Sequence, residues 1–221
     1  MNGKQRLLKV ERMAWTRDSL AFAMMAFFAV TGPARALELD ILDSVVSVLP
    51  VYQGKPQGGT GAPAGTAPEG SGVVVDAKGL IATAWHVVAP AESIDIRLAN
   101  GRIIKAELIG HDSASDMALL KVNAPLVPFH YAPAPKLASP VCAIGNAYGL
   151  DLSVTCGVVS ALRVTNAGFN AVEDFIQTDA ATNPGTSGGA LVDDKGRLVG
   201  MMSAIFAAKA DTNIGINFAV S

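Results

Sequence analysis

Nothing in this 221-residue sequence is both apolar enough and long enough to span a bilayer comfortably. The apolar run from Leu20 to Val30 falls well short of the roughly 20 residues a membrane-crossing helix needs. It follows Lys4, Arg6, Lys9, Arg12 and Arg17 and precedes Pro33-Ala34-Arg35-Ala36. That charged, apolar and small-residue order is a secretory signal, with cleavage expected after Ala36. The expectation is a periplasmic or secreted protein with no stable membrane span; an uncleaved N-terminal anchor is the alternative. Basic charge is scarce as well. Losing residues 1–36 removes six of the 17 basic residues and two of the 19 acidic ones, leaving a net charge of −6. Such a surface repels phosphate backbones, which argues against a nucleic-acid partner. Cysteine is limited to Cys142 and Cys156, both in the exported part, on either side of a hairpin centred near Gly149. Export permits a disulfide between them; two buried free thiols are the alternative. No pattern calls for a metal or a cofactor.

Helical signals are missing after the leader, whereas strand signals recur. Half of the residues are hydrophobic, enough for a sizeable core. Residues 42–52 read as a first, Val-rich strand, and Gly54 to Gly70 as a loop of Gly, Pro, Ala and Thr. Val73–Val75 and Leu80–Ala82 flank the turn Asp76-Ala77-Lys78-Gly79. Ile94, Ile96 and Leu98 alternate with polar residues, and the alternation resumes at Ile104 after Asn100-Gly101, a strong hairpin signal. The Pro-rich segment 124–136 connects two halves, and further strands fall at 141–144, 154–162, 175–178, 189–192, 198–204 and 217–220. Many short strands punctuated by turns imply closed or nearly closed all-β barrels.

Chemistry concentrates at Thr178-Asp179-Ala180-Ala181-Thr182-Asn183-Pro184-Gly185-Thr186-Ser187-Gly188-Gly189. Glycines there permit a sharp turn and close approach by another molecule. A serine hydroxyl becomes a useful nucleophile when a base takes its proton and nearby amides stabilise the oxyanion. The N–H groups of Gly185 and Ser187 are the candidate amides. Two upstream stretches offer partners: Thr83-Ala84-Trp85-His86-Val87-Val88, and Asp116-Met117-Ala118-Leu119-Leu120-Lys121-Val122. The chain order is therefore His86, Asp116, Ser187.

These runs, with Ala143-Ile144-Gly145-Asn146-Ala147-Tyr148-Gly149-Leu150, resemble the trypsin-like serine proteases, and most closely the HtrA/Deg (high-temperature-requirement) family. The resemblance covers roughly residues 42–221. It implies a chymotrypsin/trypsin-like double β-barrel, with a first barrel over about 42–123 and a second over about 137–221. It also implies a serine endopeptidase in which Ser187 attacks, His86 relays the proton and Asp116, rather than Asp112, orients the imidazole. Thr182, Ser203, Ala204, Ile205 and Phe206 fall around the family's primary specificity pocket. None is acidic, so cleavage after small or medium aliphatic residues of exposed polypeptide segments is expected. His111 and His130 are read as ordinary residues. Trp85 departs from the smaller residue the family usually has there. Thr186 stands where digestive trypsins have Asp, so activation by an ion pair to a freshly cut N-terminus is not expected. Family members commonly continue into a PDZ domain, which the sequence up to Ser221 does not contain. The family's trimer contacts have no match here, leaving the oligomeric state open. The alternative function is a catalytically weak binding or assembly factor that retains the protease fold.

Overall fold

The computed structural model describes residues 39–54, 69–89, 91–205 and 214–221. The expected signal segment, most of the Gly54–Gly70 loop and Phe206 lie outside the described residues. A 3-10 turn, Leu39–Ser44, comes first, its residues 42–44 falling where the sequence reads as the beginning of a strand. Its Ile41 is buried, so the turn serves to plug an apolar side chain into the core before extended structure begins.

Among the described residues, twelve strands then form two closed antiparallel barrels. The first contains β1 (Val45–Val51), β2 (Gly70–Asp76), β3 (Leu80–Ala84), β4 (Ser93–Arg97), β5 (Ile103–Asp112) and β6 (Met117–Val122). Their order around the barrel is β1-β2-β3-β6-β5-β4. The second contains β7 (Pro140–Gly145), β8 (Ser153–Val164), β9 (Phe175–Thr178), β10 (Ala190–Asp193), β11 (Leu198–Ile205) and β12 (Asn217–Val220). Its order, β10-β11-β12-β9-β8-β7, is the same winding read from the other side. The all-β double-barrel expectation holds. The one α-helix among the described residues is a single turn, α1 (Trp85–Val88).

Side-chain alternation explains why several strands are apolar throughout. Successive residues of a strand point to opposite faces. In β1, Val46 and Val48 fill the first barrel with Val74, Ile81, Ile96 and Leu120. Val45 points the other way, into a second cluster with Val73, Ala82, Ile144, Val192 and Met201. That cluster draws on both barrels and cements them. Val141, Ala143, Leu191 and Met202 fill the second barrel's interior. A strand sandwiched between its own barrel and its neighbour has no solvent face, so its sequence shows a continuous apolar run. β5, with its outer face exposed, shows the polar alternation instead.

Cys142 and Cys156 face each other across the β7–β8 ladder, with Cα atoms 4.0 Å apart, and are joined as a disulfide. The bond closes the hairpin whose tip, a 3-10 turn at Ala147–Gly149, reaches the functional site. Their sequence separation is 14. Constraining a loop of that size in the unfolded chain contributes about 3 kcal/mol. Replacing both cysteines with alanine is expected to lower the unfolding free energy by about that amount. Urea unfolding of the oxidised protein beside the double variant measures it.

Candidate active site

His86 leaves the first barrel at the end of β3. The turn α1 buries Val87 and Val88 in the barrel core, and this anchoring throws the preceding imidazole outward, half exposed. Asp116 lies in the tight turn between β5 and β6, with a left-handed backbone (φ 58). Aspartate tolerates that region better than most non-glycine residues. The turn delivers the carboxylate to His86 with two bonds. Oδ1 accepts the His86 backbone N–H at 2.8 Å and Oδ2 lies 2.7 Å from Nδ1. The Asp116 carbonyl also takes the Trp85 N–H at 3.0 Å. From the second barrel, Ser203 Oγ donates to Oδ2 at 3.1 Å.

Burial pushes the Asp116 carboxyl up. The hydrogen bonds from the imidazole and backbone of His86, the positive charge that imidazole can carry, and the Ser203 hydroxyl outweigh it and hold the group below the usual carboxylate range. An ionised carboxylate only accepts, so Nδ1 carries a proton, and in the neutral ring Nε2 keeps the lone pair.

Ser187 sits in the loop before β10. Gly185 (φ 98) and Gly188 (φ 84) are both left-handed. A Cβ at Gly185 would run into the Asn146 carbonyl, and one at Gly188 into that of Ser71. Glycine is therefore required twice, which explains the Gly-rich signature around the serine. Thr186 is buried and closes the turn on Asn183, donating its N–H to the Asn183 carbonyl at 2.9 Å. The N–H groups of Gly185 and Ser187 have no acceptor among the described residues. Ser187 Oγ donates to the Ser203 carbonyl at 3.5 Å and makes no hydrogen bond to His86.

One cleft of about 590 Å³ collects Trp85, His86, Ser113, Asp116, Phe169, Asn170, Pro184, Ser187 and Ser203. Three sequence-singled residues from two barrels, His86, Asp116 and Ser187, thus share one cavity. Thr182 does not line it; its side chain is buried and donates to Asn217 Oδ1 at 2.7 Å. Ser203 lines it but spends its hydroxyl on Asp116. Ala204 and Ile205 continue β11 as backbone.

Two features were not legible beforehand. Trp85, which lines the cleft, stacks on His111, with ring centroids 3.8 Å apart and planes 9° from parallel. The segment between β8 and β9 supplies Phe169 and Asn170. Glu173 organises it by accepting the N–H groups of Ala167, Phe169 and Asn170 at 2.6, 2.7 and 3.1 Å. These bonds, that to Asn170 first, hold the Glu173 carboxyl below its ordinary range. The segment is moored to the turn carrying Asp116: Val172 N–H donates to the Ala114 carbonyl at 2.9 Å, and Asn170 Nδ2 to that of Ser115 at 3.3 Å.

A family model described as the trypsin-like peptidase domain matches residues 70–201, the span that holds all three of those residues. The chain belongs to that family. This trypsin-like peptidase is 40% identical over 157 residues to the serine endoprotease DegS of Escherichia coli (strain K12), covering 68% of this chain and 44% of DegS. It is 43% identical over 156 residues to the periplasmic serine endoprotease DegP of the same strain, covering 68% and 33%. Among solved structures it is similar to the HtrA-type protease AlgW with a tripeptide, at a TM-score of 0.72 and 36% identity, over 81% of this chain and 56% of that one. The HtrA/Deg resemblance of the four motifs is borne out. This trypsin-like peptidase spans less than half the length of the two curated relatives.

Proposed function

We propose that this protein is an exported serine endopeptidase working through a His86–Asp116–Ser187 triad. The observation that carries the reading is the His86–Asp116 pair, held by two hydrogen bonds, in the same cleft as a serine flanked by two unengaged amides. Ser187 Oγ transfers its hydrogen bond from the Ser203 carbonyl to His86 Nε2 and attacks the peptide carbonyl as the imidazole takes the proton. The oxyanion that forms is received by the Gly185 and Ser187 N–H groups. His86 then protonates the leaving amine, and water hydrolyses the acyl-enzyme by the same route. Asp116 keeps Nε2 as the basic nitrogen and stabilises the imidazolium between the two proton transfers.

The substrate binds as an added strand. β10 parts from β11 near Met201, while β12 accompanies β11 to Ile205. One edge of Ser203–Ile205 is thus without a strand partner among the described residues, beside Ser187, and backbone hydrogen bonds there hold an extended peptide. No acidic side chain from the specificity set faces that edge, which favours Val or Ala over Arg or Lys before the scissile bond. DegP is named as periplasmic, and the leader of residues 1–36 supports the same compartment for this protein. No helix among the described residues is long and apolar enough to cross a membrane.

Casein digestion with product mapping, wild type beside Ser187→Ala, tests activity and preference together. Cuts after small aliphatic residues that vanish in the variant are expected. Cuts mainly after Arg or Lys would reject the specificity. A wild type that neither digests casein nor reacts with a fluorophosphonate at Ser187 would leave the alternative, a binding factor on the protease fold.

A further inference from the structure

Four consecutive carbonyls beside the nucleophile are each held by a donor. Pro184 accepts from the Tyr148 N–H at 2.7 Å, Thr186 from the Gly189 N–H at 2.9 Å and Ser187 from the Ser71 N–H at 2.8 Å. Gly185 accepts from Ser71 Oγ at 2.7 Å. A trans peptide is planar, with its N–H opposed to its C=O, so a tethered carbonyl also aims the next residue's N–H. The resulting pattern alternates. The Gly185 and Ser187 N–H groups are unengaged, whereas Thr186 donates to Asn183 and Gly188 to Met202. Two of the four tethers come from Ser71 in the other barrel, and one from the β7–β8 tip.

Those tethers are set in turn by a buried chain of polar groups. Ser71 is fully buried, and its Oγ accepts the Asn146 N–H at 2.8 Å. An amide only donates, so the single hydroxyl proton is directed at Gly185. Asn146, also fully buried, receives the Asp151 N–H on Oδ1 at 3.0 Å and donates Nδ2 to Glu69 Oε2. Arg97 Nη2 pairs with the same Glu69 oxygen at 3.1 Å. Two residues past Asn146, Tyr148 holds a left-handed φ of 56, a conformation that a bulky residue keeps only where its surroundings demand it. A buried ion pair is often no better for stability than apolar packing. Its value here is direction, since a charged acceptor orients the amide it binds more strongly than a neutral one.

Resting on the endopeptidase reading, we propose that Glu69, Asn146 and Ser71 are positioning residues for the oxyanion. Asn146, braced by Glu69, sets the tip whose Tyr148 N–H holds the Pro184 carbonyl and so aims the Gly185 amide. Ser71, from the opposite barrel, pins the Gly185 and Ser187 carbonyls, fixing the peptide planes that follow the two amides. None of them touches the reacting atoms. Losing the arrangement weakens binding of the transition state and leaves binding of the peptide ground state alone.

The test uses Ser71→Ala, Asn146→Asp and the double variant Glu69→Gln/Asn146→Asp, with wild type and Ser187→Ala as references. kcat and KM are measured on a peptide taken from the casein map. Affinity for a peptide boronic acid reports the tetrahedral state, and urea midpoints report folding. Ser71→Ala is expected to lose about 100-fold in kcat and a similar factor in boronate affinity, with KM within about twofold. Asn146→Asp sets two carboxylates together and is expected to lose as much. The double variant is expected to recover to within about threefold of wild type, because the amide introduced at position 69 donates to the carboxylate introduced at position 146. Should Ser71→Ala not fold, the single and double variants at 146 and 69 decide alone. Wild-type kcat in Ser71→Ala or Asn146→Asp overturns the proposal, as does a loss confined to KM, or a double variant that regains its midpoint without its kcat. A wild type without Ser187-dependent hydrolysis overturns the endopeptidase reading and this proposal with it.

Discussion

Ser187→Ala is expected to lower kcat for peptide hydrolysis by about 10⁶-fold, the scale seen when a triad nucleophile is removed. The size of the effect follows from what the hydroxyl does. Without it no acyl-enzyme forms, and the uncatalysed attack of water is left with only the two amides and substrate positioning to assist it. His86→Ala is expected to cost nearly as much, and the double variant little more, because nucleophile and base act as one unit. Folding is expected to be almost untouched. Ser187 is half-buried, and its hydroxyl makes only a long 3.5 Å bond to the Ser203 carbonyl. Single-turnover hydrolysis of a mapped casein peptide, with a urea midpoint for each variant, separates chemistry from stability. A Ser187→Ala variant retaining more than about a hundredth of wild-type kcat would falsify the assignment of Ser187 as nucleophile.

The second large effect is expected for Asp116→Asn, about 10⁴-fold in kcat. Asparagine tolerates the left-handed φ of 58 as well as aspartate does, so the backbone turn is expected to survive. What is lost is acceptor capacity and charge. The carboxylate serves the His86 N–H, the imidazole Nδ1 and the Ser203 hydroxyl together. An amide has one oxygen for these donors, and its NH₂ turned toward Nδ1 selects the tautomer with the proton on Nε2, where the base is needed.

A stability signature accompanies the kinetic one. The folded-state pKa of Asp116 is lowered, so its contribution is fully present above the unfolded value of about 3.9 and is lost as pH falls through the folded value. The stability gap between wild type and Asp116→Asn is therefore expected to be flat near neutrality and to close below about pH 4. Urea unfolding from pH 7 down to pH 3 measures it. A gap that widens on acidification would contradict the lowered pKa.

How much of this was legible beforehand depends on how far apart in sequence the contacting residues lie. Asn100-Gly101 and Asp76–Gly79 announced hairpins, and β4–β5 and β2–β3 pair across those turns. Cys142 and Cys156 flanked a visible hairpin, and a ladder that runs from its tip places them opposite each other. The first strand begins at Val45 rather than at 42, where the chain reads as extended because Leu42 and the Val run that follows it are apolar. Residues 42–44 instead complete a short turn that buries Ile41 between the barrels.

The order His86, Asp116, Ser187, the glycines around the serine and the apolar strand runs were readable from the chain because each is a local demand. A left-handed turn asks for glycine, and a two-sided buried strand asks for Val, Ile and Leu. Ser203 on Asp116, Trp85 on His111, and the path from Arg97 through Glu69, Asn146 and Ser71 to Gly185 were not readable. They join positions as many as 114 residues apart, and nothing in their neighbourhoods signals a partner. Only the closure of each barrel, which sets strand register, and the apolar seam between the barrels bring those polar groups within hydrogen-bonding distance. Composition and spacing determined which groups are available for chemistry, and tertiary packing decided which atoms face one another.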